Sequence, residues 1–131
     1  MNKERYFISV VRFSKEKELN DPMVYIDEID DGGNTSRTIR VYKNGETTCA
    51  TWEGGYKSEW FESTNYYSDE ANIKILKEDK EMVFFEITKE DFEREWGKVI
   101  SEPGFKLRPY SEYTQEDYDR HNPAWKEWKY F

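Results

Sequence analysis

MVYIDEID at residues 23–30, DGGN at 31–34, TSRTIRVYK at 35–43, NG at 44–45 and ETTCATW at 46–52 form the run that decides the fold. Two turn clusters cut three segments rich in β-branched and aromatic residues. Within 35–43, Ile39 and Val41 fall on one face, the period-two spacing of a strand. Asn44-Gly45 is a strong hairpin signal, because a type I′ turn needs positive φ at both central residues. The reading is an antiparallel meander of three strands.

Upstream, Tyr6 to Phe13 is apolar on both faces. Tyr6, Ile8 and Val10 line one face, and Phe7, Val11 and Phe13 the other, which predicts a strand inside the sheet. Downstream, Glu53-Gly54-Gly55 reads as the turn that closes the meander. Tyr56 to Glu70 has no clean period, Ala71 to Leu76 fits a short strand or one helical turn, and Met82 to Glu86 reads as extended. A helix then starts at Thr88. Thr88 and Asp91 stand at capping-box spacing, and Ile87 and Phe92 occupy the hydrophobic-staple positions. Phe92, Trp96, Val99 and Ile100 repeat at i, i+4, i+7 and i+8, one helical face. They are expected to cover Ile39 and Val41 or their neighbours in the sheet. The same cap grammar recurs at Thr114 and Asp117, and Trp125 and Trp128 are expected to lock the tail onto the domain. The expected fold is α+β: an antiparallel sheet of about four or five strands, a helix on one face and a short helical C-terminal extension. Residues 1–131 read as one domain, with a body at 1–100 and the extension at 101–131.

Composition narrows the function. The chain of 131 residues carries 28 Asp and Glu against 20 Lys and Arg, a net charge of -8, with five Trp, ten Tyr and eight Phe. The aromatic content predicts a packed core in spite of the high charge. One Cys, Cys49, cannot form an internal disulfide, and its setting predicts a small buried strand residue. The N-terminal residues show no apolar signal core, and no run is long enough for a membrane span, so a cytoplasmic protein is expected.

The acidity disfavours direct nucleic-acid binding and anionic membranes, and suits a basic protein partner. One His and one Cys, far apart, do not make a zinc site. Asp27, Glu28, Asp30 and Asp31 miss the calcium-loop pattern, which also needs a closing glutamate. His121 stands before Asn122-Pro123 and reads as a helix-end residue, so no nucleophile–base couple is in view. Neither a metal, a cofactor nor a catalytic residue is expected.

Asp21-Pro22, Tyr25-Ile26-Asp27-Glu28-Ile29-Asp30, Arg37-Thr38-Ile39-Arg40-Val41-Tyr42 with Gly45, and Ile87-Thr88-Lys89-Glu90-Asp91-Phe92-Glu93 with Trp96 together resemble a family of small uncharacterised bacterial proteins. The resemblance spans Tyr6 to Trp96. Some members look like immunity or accessory proteins of bacterial toxin systems. It implies a binding protein that occludes a basic toxin domain, such as a nuclease. Carboxylates would meet the partner's Lys and Arg, and aromatics would be the buried anchors. The residues expected to do this are Asp27, Asp30, Asp31, Glu53, Glu59 and Glu62 for charge, with Trp52, Trp60 and Tyr66 as anchors. Two other readings are an acidic mimic of nucleic acid and a small enzyme working with carboxylates alone. The sequence does not fix the oligomeric state.

Overall fold

A computed structural model describes residues 4–11, 22–42, 44–60, 70–78 and 82–117. Seven strands form one antiparallel sheet in the order β6-β1-β2-β3-β4-β5-β7. They are β1 (Arg5–Val11), β2 (Pro22–Ile29), β3 (Thr35–Tyr42), β4 (Thr47–Thr51), β5 (Gly54–Tyr56), β6 (Met82–Ile87) and β7 (Arg108–Pro109). Among the described residues, two helices, α1 (Glu70–Glu78) and α2 (Lys89–Ile100), a 3-10 turn at Tyr110–Glu112 and helical residues at 115–117 accompany it.

This corrects the expected α+β domain of four or five strands: the sheet has seven, and the described helices are few and short. The strands that escaped the sequence are β5 and β7. At three and two residues they are too short to show alternation, and β5 begins with Gly-Gly. Both glycines are needed there. A methyl on Gly54 would run into the backbone carbonyl of Arg108, and one on Gly55 into the backbone carbonyl of Glu59. What read as a closing turn is a strand over which other backbone passes closely.

Both hairpin turns of the meander use three residues. Gly45 N–H donates to the Tyr42 carbonyl at 2.9 Å, Tyr42 N–H donates to the Glu46 carbonyl at 2.9 Å, and Gly45 sits at φ 88°. The β2–β3 turn repeats this: Gly33 N–H donates to the Asp30 carbonyl at 3.0 Å, Asp30 N–H to the Asn34 carbonyl at 2.8 Å, and Gly33 has φ 83°. A positive-φ glycine ending a three-residue loop matches the strand twist as a two-residue I′ turn does. The expected I′ turn is thus replaced by a loop closed on Tyr42 and Glu46, one residue earlier on the β3 side. Asp30 also accepts from the N–H groups of Gly32 and Asn34 at 2.9 and 3.0 Å, which fixes the first loop.

Alternation gives the sheet two unlike faces. Cross-strand neighbours Ile26, Ile39 and Cys49 lie on the first, with Tyr6 and Tyr56. There α2 lays down Phe92 and Val99, both buried, and Trp96 packs against them, while Ile100 is exposed. The helix starts as its cap predicts. Thr88 Oγ1 accepts from Asp91 N–H at 3.1 Å, and Asp91 accepts from Thr88 N–H at 3.4 Å. Arg37 ties the helix to the sheet. Its guanidinium bonds Glu28 at 2.8 and 2.6 Å, reaches Glu93 on α2, and lies 4.8 Å from the centre of the Phe92 ring.

The second face divides. Near β6 it is apolar: Phe7, Ile29 and Phe84 pack with Ile73 of α1. Toward β3 and β4 it is polar, and that half holds the first part of the candidate site. Residues 118–131, with Trp125 and Trp128, lie outside the described residues.

Candidate functional site

Thr38, Arg40 and Tyr42 point from β3 to the second face because Ile39 and Val41 point to the first. Arg40 is paired across the sheet with Tyr25 on β2 and Thr48 on β4, and Thr38 with Asp27. After β5 the chain turns back through Lys57 and Ser58, both left-handed at φ 58° and 62°. Two non-glycine residues in that region store strain of about 1–3 kcal/mol each. What this backbone reversal achieves is the placement of Glu59 over β3 and β4.

Glu59 is 0% exposed and its carboxylate is saturated with donors. Arg40 Nη1 donates to Oε1 at 2.8 Å, Trp60 N–H to Oε1 at 3.1 Å, Thr48 Oγ1 to Oε2 at 2.7 Å, and the Tyr42 hydroxyl to Oε2. A buried carboxylate is tolerated when it is paired and hydrogen-bonded in this way. Burial is the largest influence on Arg40 and opposes its charge, but Glu59, with Tyr42, Asp27 and Tyr25 behind it, outweighs burial and the Arg40 pKa is raised. Burial, then Glu59, pushes the Tyr42 hydroxyl far up, so it stays a donor. Asp27, 8% exposed, accepts from Thr38 Oγ1 at 2.6 Å. The Arg40 guanidinium lies 5.7 Å from the centre of the Tyr25 ring, and its buried Nε has no hydrogen-bond acceptor. From the other side, the Tyr113 hydroxyl donates to the Glu59 backbone carbonyl. This constellation is a polar core that holds an irregular segment and the C-terminal extension onto the sheet.

Of the residues expected to meet a partner, Asp27 and Glu59 therefore lie inside, where their carboxylates already serve the fold. Trp60 is half-buried beside Glu59. Glu62 and Tyr66 lie outside the described residues. The rest gather at the surface. Asp30 and Asp31 are exposed in the β2–β3 turn, and Trp52 and Glu53 are exposed in the β4–β5 turn. The register places both turns at one end of the sheet: Ile29 pairs with Thr35, and Arg37 with Thr51. Arg5 and Ile87 reach the same end, so α2 begins there and adds exposed Glu90.

Trp52 is 71% exposed. Its turn is fixed from both sides. Thr51 Oγ1 accepts from Glu53 N–H at 3.1 Å, and the Tyr110 hydroxyl donates to the Thr51 carbonyl at 2.6 Å. The backbone that carries the indole is thus held in place, with Glu53 next to it in the chain and Asp30 and Asp31 at the same end of the sheet. Sequence reasoning picked out Trp52 and its acidic neighbours, and missed Arg40, Tyr42 and Thr48. Their signal was present in the alternation of polar residues opposite Ile39 and Val41.

Burial pushes the Cys49 thiol up to about 12, the value of an unreactive buried group. Among the described residues no cluster of three His, Cys, Asp or Glu could hold a metal ion, and no helix is long and apolar enough to cross a membrane.

No curated protein and no solved structure matches the chain. Residues 7–101, from β1 through the whole of α2, match the family model of a domain of unknown function, DUF6881. That span contains the seven-stranded sheet except β7 and the first two residues of β1, both faces, and Asp30, Asp31, Trp52, Glu53 and Glu90. The chain belongs to the DUF6881 family.

Proposed function

We propose that this chain is a binding protein that occludes a basic protein partner with the acidic, aromatic end of its sheet. The observation that carries the reading is Trp52: a large apolar side chain, 71% exposed, held on a short turn beside Glu53 and at the same end as Asp30 and Asp31. An aromatic anchor within a polar ring is how a binding hot spot is built. The carboxylates at the same end of the sheet, on a chain of net charge -8, favour encounter with a basic surface. The partner class proposed is a toxin domain, such as a nuclease, whose Lys and Arg hold substrate phosphates. The protein would then act as its immunity protein, with no turnover of its own. The resemblance noted for the Tyr25–Asp30, Arg37–Tyr42 and Ile87–Trp96 stretches supports that step.

The test is affinity capture from bacterial lysate, or of the neighbouring gene's product, at low and at high salt. Wild type and Asp30→Lys/Asp31→Lys/Glu53→Lys are compared. The expected result is a basic protein retained by wild type at low salt, weakened by high salt and lost from the triple variant. Equal capture by the triple variant would refute the assignment.

A further inference from the structure

We propose that this chain pairs with a second copy of itself through β6, antiparallel, about a two-fold axis at Phe84. The two ends of the sheet differ in the way that matters for self-association. At one edge β7 is two residues long, ends in Pro109 and runs into a 3-10 turn. A short edge strand with proline offers little to pair with. At the other edge, among the described strands, β6 has six residues, MVFFEI, with neither Pro nor Lys. It pairs with β1 in unbroken register, without a bulge to twist it away. Such an edge is a template for another strand unless something covers it.

The side chains say what covers it. Val83 and Phe85 lie on one face and stay 36% and 45% exposed. On the other face Phe84 is buried, stacked on Phe7 at 5.1 Å between ring centres. Antiparallel pairing centred on Phe84 sets Phe85 opposite the partner's Val83, and Val83 opposite the partner's Phe85. Each exposed apolar side chain gains an apolar neighbour, and the buried Phe7–Phe84 layer becomes continuous across the axis. Pairing over Met82 to Glu86 also stops short of Thr88, where α2 begins.

Charge does not oppose a second copy at this edge. A chain of net charge -8 repels itself over most of its surface. At this edge the carboxylate of Glu86 is neutralised by Arg5, whose Nε and Nη2 donate to it at 3.0 and 2.9 Å. In the proposed register Glu86 faces the partner's Met82, so no two carboxylates are opposed. This surface is separate from the Trp52 end, and the dimer leaves that end open.

Sedimentation equilibrium of the full chain should give about twice the single-chain mass at micromolar concentration. Val83→Lys and Phe85→Glu, both at exposed positions, should each raise the dimer dissociation constant at least tenfold. Mixed in equal amounts they should form a heterodimer, because the new charges face one another only across that pair. In wild type, β6 amide protons should lose hydrogen-exchange protection on dilution, a readout that needs no variant. A wild-type monomer at all concentrations, a dimer indifferent to both variants, or β6 amides unchanged by dilution would overturn the proposal. Retention of a foreign extended peptide on β6 in place of a second copy would overturn it too.

Discussion

Glu59→Gln isolates the feature on which the polar half of the sheet depends. The substitution keeps the shape and one carbonyl oxygen but removes the charge. Arg40 would then be left buried, with its main counter-charge gone and Nε already without an acceptor. Breaking a buried ion pair from one side costs about 3–5 kcal/mol. The amide –NH2 that replaces one oxygen also faces donors, since Tyr42, Thr48, Trp60 and Arg40 all donate to this carboxylate. Domains have roughly 5–15 kcal/mol of total stability, so the loss is a large share of it. Equilibrium urea unfolding followed by tryptophan fluorescence measures it as a fall in midpoint with an unchanged slope. Arg40→Met in the Glu59→Gln background should recover about 1 kcal/mol or more, because both charges are then absent. A Glu59→Gln variant within about 0.5 kcal/mol of wild type, or strictly additive losses in the double variant, would refute the reasoning.

The packing of α2 predicts an order. Phe92 is fully buried against Tyr6 and under Arg37, so Phe92→Ala should cost about 3–5 kcal/mol, and Trp96→Ala, at a half-buried position, less. The reverse order in urea titrations would mean that α2 sits differently on the sheet. Gly55→Ala places a methyl against the Glu59 carbonyl and the Tyr113 hydroxyl, so it should free the C-terminal extension. Faster limited proteolysis after residue 105 would report that, and an unchanged digest would contradict it. Asp117 adds a pH dependence. Burial works to raise its pKa, but the Thr114 N–H, Ser58 and Arg108 bonds win and hold it at about 2, below its ordinary 3.8. A depressed folded pKa stabilises fully above the unfolded value, and the gain is lost as pH falls from 3.8 through about 2. Carboxyl NMR should show that low midpoint, and a midpoint at 3.8 would place Asp117 outside the network.

What could be read from the sequence was local. Thr88 and Asp91 make their capping box within four residues, and the box formed as spaced. Gly45 and Gly33 marked turns, though the neighbouring residues decide whether a loop takes two residues or three, and here it took three in both hairpins. The alternation of Ile39 and Val41 located the core face correctly. The same alternation implied that Thr38, Arg40 and Tyr42 share the opposite face, but not that this face is buried. That depends on Glu59 arriving from a later segment through two left-handed residues, Lys57 and Ser58, which have no sequence signature. Glu59 and Asp27 were expected to act as surface charges because an isolated carboxylate is normally exposed. Long-range partners reversed that. β5 and β7 were invisible for a related reason: Gly54 pairs with Pro109, 55 residues apart, and neither segment has a pattern of its own. Trp52, read as the last residue of the returning strand, instead lies in the turn between β4 and β5, where its side chain has little to pack on and stays exposed.

The most direct test of the binding role is the isotherm of the captured basic partner with wild type and with Trp52→Ala. Replacing a central tryptophan anchor should cost at least about 2 kcal/mol, roughly thirtyfold in affinity, and the loss should persist at high salt because the contact is apolar. An unchanged isotherm for Trp52→Ala, with the variant folded, would contradict the account and leave the acidic end of the sheet without a role.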